Sequence, residues 1–160
     1  MRAAVLTVSD RVSRGEAEDG SGDTLEELLR GDGYEVTRRL VPDEADEIAE
    51  AIRELAAGVD LVLTTGGTGL AVRDVTPEAT RSVLEREAPG IPEALRADSL
   101  RKTPHGLLSR GTAGTVGVGT GVGVLTGPRS TMLLTGAGSP EICDGCTDPP
   151  GGTSTVTVST

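Results

Sequence analysis

Aromatic side chains are almost missing from these 160 residues: there is no Phe, no Trp and a single tyrosine, Tyr34. The chain therefore has no platforms for stacking unpaired bases, the usual device of single-stranded nucleic-acid binders. Its core has to be aliphatic. Basic residues are also scarce, 15 Lys and Arg against 25 Asp and Glu, for a net charge of −10. That balance argues against nucleic acid and against an anionic membrane surface as partners. It also obliges any site for a polyanion to supply its own local positive field. No apolar run reaches the roughly 18 residues of a membrane span, and no leader pattern opens the chain, so a cytoplasmic protein is expected. The lone histidine, His105, lies far from the only cysteines, Cys143 and Cys146. One C-x-x-C pair and one distant histidine do not make a four-ligand zinc site. A redox pair would stand at a helix start, whereas Asp144-Gly145 reads as a turn, so the two thiols are taken as incidental.

What the chain does have is alternation. Ala3 to Val8 reads as an opening strand ending at Ser9-Asp10-Arg11, and Arg14 to Gly22 as a polar loop long enough to be functional. Asp23 or Ser21 can cap a helix with Leu25, Leu28 and Leu29 on its apolar face, stopped by Gly31 and Gly33. Tyr34 to Val41 returns as a strand. Pro42-Asp43 opens a helix with Ile48, Ile52 and Leu55 at helical spacing, and Val59 to Leu63 is the next strand. Thr76 as cap with Pro77 behind it starts a third helix, and a fourth is expected around Pro92 to Leu100. Strands separated by helices of this length mean βαβ units and a mostly parallel sheet. The fold class expected is α/β, three layers with helices on both faces. In such sheets ligands bind beyond the carboxyl ends of the strands, which would bring Ser9-Asp10, Asp43 and the segment from Thr65 to Asp74 together.

The stretch Asp60-Leu-Val-Leu-Thr-Thr-Gly-Gly-Thr-Gly69 followed by Arg73-Asp74-Val-Thr-Pro77 carries the strongest chemical signal. An apolar strand runs into glycines and threonines, whose backbone N–H groups can form an anion-binding concavity. It is neither a Walker A loop nor G-x-G-x-x-G, and a tight strand-to-helix turn is the alternative reading. With no lysine in the loop, positive charge would come from Arg73, Arg110 or Mg²⁺. Asp74 is the best hard-oxygen metal ligand, with a surface pair to Arg73 as the alternative. Asp43 fits a helix cap as well as a metal contact. Ser109-Arg110-Gly111 is suited to a terminal phosphate through a hydroxyl and a guanidinium fork. His105 has no partners for nucleophilic work, and Ser9, Ser13 and Ser109 lack a hydrolase context.

Taken together, Leu6-Thr-Val-Ser-Asp-Arg11, Arg39-Leu-Val-Pro-Asp-Glu44, Leu61 to Gly69, Arg73 to Pro77, Thr103-Pro-His105 and Leu108-Ser-Arg-Gly111 resemble the molybdenum cofactor biosynthesis family, specifically its small molybdopterin adenylyltransferases. The motifs lie in the family's order over about two-thirds of the chain. The resemblance implies an α/β fold assembled as a homotrimer, with molybdopterin and ATP as substrates, Mg²⁺ as cofactor and other molybdenum cofactor enzymes as partners. It also implies a reaction in which the pterin's terminal phosphate attacks the α-phosphorus of Mg-ATP and pyrophosphate leaves. Asp43 and Asp74 match the essential acidic pair, placed for metal and catalysis. Thr65, Gly66, Gly67, Thr68 and Gly69 match the nucleotide-phosphate loop, Ser9 and Asp10 its rim, and Ser109 and Arg110 the pterin-phosphate side.

Beyond Gly111 the chain changes in kind. Gly, Thr and Ser make up 27 of residues 111–160, and only Arg129, Glu141, Asp144 and Asp148 are charged. Val116, Val118, Val122 and Val124 alternate with Gly and Thr as in a hairpin. The domain is expected to run over 1–140, with 141–160 a disordered tail. The family's Asn-Leu-Pro-Gly-Ser-Pro turn and closing helices have no clear counterpart; only Gly138-Ser139-Pro140 survives. A change of reading frame after about Gly114 would produce such a segment. It would make this a C-terminally altered copy, and a non-catalytic pterin-binding relative is the other alternative.

Overall fold

A computed structural model describes residues 1–117 and the backbone of strands at 120–125, 132–135 and 155–158. Strand β1 (Arg2–Val8) is buried from its second residue onward. It is flanked by β2 (Glu35–Val41) on one side and β3 (Leu61–Thr65) on the other, both parallel to it. After β3 the sheet continues through β6 (Thr120–Leu125), parallel to β3, and ends in antiparallel β5 (Ala113–Val116) and β4 (Arg86–Glu87). The strand order is β2-β1-β3-β6-β5-β4. The hairpin expected from the valine alternation is thus the pair β5 and β6, and β6 lies inside the sheet. Strands β7 (Met132–Thr135) and β8 (Thr155–Val158) form a separate antiparallel pair. Apart from β8, the segment expected to be a disordered tail lies outside the described residues, as do Cys143 and Cys146.

Side-chain alternation along β1 assigns the layers, since successive residues of a strand point to opposite faces. Ala4, Leu6 and Val8 pack with Val62 against helices α3 (Ala45–Ala56) and α4 (Thr76–Val83) through Ile48, Ile52, Ala79 and Val83. Ala3 and Val5 pack with Leu61 and Leu63 on the other face against α2 (Gly20–Gly31) and α5 (Gly90–Lys102) through Leu25, Leu29 and Leu95. This is the three-layer arrangement expected, with aliphatic side chains making up both buried clusters and Tyr34 packing at the margin of the second. Each fully buried Leu or Ile contributes about 1.5–3 kcal/mol.

The helix starts differ from the expected ones, each for a reason visible in its hydrogen bonds. Helix α2 begins earlier, because Asp19 and neither Ser21 nor Asp23 is its cap. One carboxylate oxygen of Asp19 accepts the Gly22 N–H at 3.0 Å, and the other accepts the Thr7 hydroxyl at 2.8 Å. Asp43 does not cap α3; the residue before that helix is Glu44, with no side-chain cap bond. Val75 precedes α4, so Thr76 is its first residue, and the Thr76 hydroxyl turns back to donate to Gly66 O at 2.9 Å. A short helix, α1 (Asp10–Ser13), follows β1 at once, with the Ser9 hydroxyl accepting the Val12 N–H. Strand β3 starts two residues later than expected because Asp60 is tied to Arg2 through both its N–H and its carboxylate.

The chain goes from β1 to β2 on one side and then crosses back over β1 to β3. The connecting helices α2 and α3 lie on opposite faces. The loops leaving β1 and β3 therefore diverge, which is the switch point where doubly wound sheets open a crevice.

Candidate active site

That crevice is a cavity of about 340 Å³. Its walls come from Val8 and Ser9 at the end of β1, Glu18 to Ser21 at the start of α2, Asp43 after β2, and Thr65 to Gly67 with Asp74 after β3. The expected convergence of three strand ends is observed, and Ser9, Asp43, Thr65, Gly66, Gly67 and Asp74 meet at one place. Thr68, Gly69, Asp10, Ser109 and Arg110 are not among the lining residues.

The glycines account for the loop's shape. Gly66 has φ +92°, and a Cβ there would lie 2.0 Å from Val8 O, inside any contact distance. The loop can cross the end of β1 at this height only without a side chain. Gly67, at φ +60°, would direct a Cβ to 2.4 Å from the Thr76 hydroxyl and 2.9 Å from Asp43 Oδ1. A Cβ on Gly69 would stand 2.7 Å from Asp74 Oδ2. The two carboxylates thus pack directly on the backbone of the glycine loop. Thr76 N–H donates to Gly67 O at 3.0 Å and anchors the turn to α4.

Each carboxylate is held. Asp10 N–H donates to Asp43 Oδ2 at 2.8 Å, and Asp43 N–H donates to Asp10 Oδ1 at 3.1 Å, a reciprocal clamp between the first two loops. Arg73 joins the third loop to it, donating to Asp10 Oδ2 at 2.7 Å and to Glu44 at 2.8 Å. The hydrogen bond with Asp43 and then that with Arg73 hold the Asp10 carboxyl below its ordinary range. Arg73 is held charged above its ordinary value, by Asp10 first and Glu44 second. Its pairing corrects the alternative reading of an Arg73–Asp74 pair. Asp10, expected at the nucleotide rim, supports Asp43 and does not line the cavity. Asp74 Oδ2 accepts the Ala71 N–H at 2.8 Å. Arg110 lies across the base of this loop. Its Nε donates to Gly69 O at 2.7 Å, while its two terminal nitrogens bond to the Asp74 carbonyl and to Glu78.

The segment from Arg14 to Gly22, expected to be a functional loop, does supply part of the wall, but its last residues are the start of α2 and Asp19 was not singled out. Asp19 faces the cavity and meets Arg38, whose guanidinium also reaches Asp23 and Glu26. Burial works against the Arg38 charge, but these three carboxylates outweigh it and hold it charged. The usable signal was the spacing of Asp19 to Gly22 N–H, that of an N-cap. His105 lies in a 3-10 turn (Pro104–Leu108), its N–H donating to Thr103, away from the cavity walls.

Among the described residues no group of three or more His, Cys, Asp or Glu is arranged to enclose a metal ion. Asp43 and Asp74 nevertheless fit Mg²⁺, which is held by one or two carboxylates together with substrate phosphates and water, not by an all-protein cage.

The family model for a probable molybdopterin binding domain matches residues 4–148. The chain is 43% identical over 115 residues to a molybdopterin adenylyltransferase of Helicobacter pylori, covering 69% of this chain and 65% of that one. It is 44% identical over 115 residues to the Escherichia coli enzyme of that name, covering 69% of this chain and 59% of that one. The match thus spans less than two-thirds of the length of these curated relatives. Among solved structures, the molybdopterin biosynthesis enzyme MoaB of Thermus thermophilus superposes with a TM-score of 0.72 at 50% identity, over 78% of this chain and 79% of that one. A molybdopterin biosynthesis protein of Mycobacterium abscessus gives 0.75 at 42% identity, over 79% and 81%. The chain belongs to the molybdenum cofactor biosynthesis family of molybdopterin-binding domains.

Proposed function

We propose that this protein is a molybdopterin adenylyltransferase, moving the adenylyl group of Mg-ATP onto molybdopterin. The observation that carries this reading is the pair Asp43 and Asp74, packed on a glycine loop at the switch-point cavity. Transfer needs one bond made and one broken. A terminal phosphate oxygen of molybdopterin attacks the α-phosphorus, the bond from that phosphorus to the bridging oxygen breaks, and pyrophosphate leaves with the electron pair. A phosphate monoester is largely ionised at neutral pH, so no histidine base is required, in keeping with the histidine-free walls.

In-line displacement at phosphorus depends on positioning and charge neutralisation more than on covalent chemistry. The backbone of Thr65 to Gly67 lines the polyphosphate path, and Ser9 closes it at the end of β1. Asp43 and Asp74 would hold Mg²⁺, which when bound supplies the positive charge that the loop lacks. The segment carrying Ser109 stands for the pterin-phosphate side. The protein works as a homotrimer in the cytoplasm on this reading, alongside the other enzymes of the cofactor pathway. Among the described residues no helix is long and apolar enough to cross a membrane.

The test is direct. Protein, molybdopterin, ATP and Mg²⁺ together should release pyrophosphate and form adenylylated molybdopterin, and Asp74→Asn should lower turnover by about 100-fold or more. Molybdopterin binding with no pyrophosphate would instead identify a non-catalytic relative. Normal turnover in Asp74→Asn would remove that residue from its role.

A further inference from the structure

Between Gly69 and Asp74 the chain makes an outward excursion, with Leu70 68% and Val72 96% exposed. Its apolar side chains pack on nothing, so its shape depends on the Arg73 bonds to Asp10 and Glu44 at its middle and on how its two feet are fixed. Inside the turn only Asp74 N–H to Ala71 O and Ala71 N–H to Asp74 Oδ2 close it. Arg110 takes both feet at once, bonding to the carbonyls of Gly69 and Asp74, and its third arm reaches Glu78 on the first turn of α4. A guanidinium is a planar fork with several fixed donors, so one side chain can set the separation of two carbonyls. The base of the fork is itself rigid: Arg96 on α5 donates to Gly111 O, Gly111 and Thr112 are buried, and β5 begins at Ala113.

We propose that Arg110 is a clasp on the loop carrying Asp74: a positioning residue that fixes the Asp74 backbone for the Mg-nucleotide, not a ligand of the pterin phosphate. The inference deepens the adenylyl-transfer reading and rests on it for the identity of the nucleotide. The clasp accounts for how an exposed loop can hold a carboxylate against the Gly69 backbone, where a Cβ would already collide with it. It also gives Glu78 a task, since that carboxylate lies between α4 and the arginine.

The experiment compares wild type with Arg110→Met, Arg110→Lys and Glu78→Gln. Mg-ATP binding is measured by calorimetry, the KM for molybdopterin and kcat by pyrophosphate release, and amide hydrogen exchange over 66–76 without ligand. Arg110→Met is expected to weaken Mg-ATP by about tenfold or more and to speed exchange over 66–76, given charge-assisted bonds lost to two carbonyls. Arg110→Lys keeps the charge but not the fork, so it falls between. Glu78→Gln, which removes one arm's partner, shifts Mg-ATP binding and exchange in the same direction by a few-fold, with the molybdopterin KM unchanged. If Arg110→Met will not fold, the lysine and glutamine variants carry the same test. A rise in the molybdopterin KM with Mg-ATP affinity and loop exchange unchanged would overturn the clasp and restore Arg110 as a phosphate ligand. Wild-type protein that binds no Mg-ATP would instead refute the adenylyl-transfer reading, and the exchange data would still judge the clasp.

Discussion

Gly66→Ala tests the architecture of the site most sharply, because two separable terms oppose it. The first is backbone conformation: at φ +92° an L-residue is disfavoured by about 1–2 kcal/mol. The second is steric. The new Cβ would lie 2.0 Å from Val8 O, whereas carbon and carbonyl oxygen normally stand about 3.3 Å apart or more. Something must move by more than an ångström. Val8 is only 1% exposed and is hydrogen-bonded into the sheet, so the loop has to yield. Overpacking of this kind costs about 1–3 kcal/mol, for a total of about 2–5 kcal/mol. Gly33→Ala is the matched control: its φ is +82° and a Cβ would meet nothing within 4 Å, so only the first term applies. Urea unfolding followed by circular dichroism, with equal m values, gives both changes. Since Asp43 and Asp74 pack on the displaced loop, Gly66→Ala should also lower turnover by about 100-fold, while Gly33→Ala leaves it unchanged. If the two variants lose equal stability, or if Gly66→Ala turns over normally, the close crossing of loop and strand is refuted.

Thr76→Val keeps the shape of a fully buried side chain but leaves Gly66 O without its donor. It is expected to cost about 1–3 kcal/mol and to weaken Mg-ATP, read by unfolding and calorimetry. Leu29→Ala, in the layer between α2 and the sheet, is expected to cost about 2–5 kcal/mol in the same unfolding assay, with little effect on nucleotide affinity per folded molecule. Asp98 gives a prediction in pH: bonds from Lys102 and then Arg101 lower its carboxyl from 3.8 to about 2. A depressed folded value means stability that is present above 3.8 and is lost as pH falls toward 2. The stability difference between wild type and Asp98→Asn should therefore shrink across that window, and a difference that stays constant there would refute the pairing.

The layers were legible because aliphatic periodicity is a statement about faces, and the faces are what the core enforces. Leu25 and Leu29, or Ile48 and Ile52, recur at helical spacing and do end up on one side of the sheet each. Helix starts were less legible for a physical reason. A cap is chosen by competition among nearby polar side chains, and the competition is settled by contacts distant in sequence. Asp19 prevails over Ser21 and Asp23 because Thr7 on β1 and Arg38 on β2 hold its carboxylate in place. Thr76 is the first residue of α4 and not its cap, with its hydroxyl turned back to donate to Gly66 O, ten residues away.

The same reasoning separates the legible from the illegible residues at the site. Gly66 and Asp43 directly follow strand ends, where topology dictates convergence, and Asp74 was legible from its place between the glycine loop and the start of α4. Asp10 and Arg110 do not work that way. Asp10 is adjacent to Ser9, yet its carboxylate is turned to Asp43 N–H and Arg73 while Ser9 lines the cavity. Arg110 sits beside a serine in a phosphate-like triplet, yet its bonds run 41 residues back to Gly69 and 36 back to Asp74. A long cationic side chain serves whichever acceptors the fold brings within its reach, and in this loop those are carbonyls left bare because residues 70–73 turn outward and form no regular structure. The exposed excursion is thus held by cations reaching in from both directions: Arg73 ties its middle to Asp10 and Glu44, and Arg110 ties its two feet, which keeps Asp74 in place.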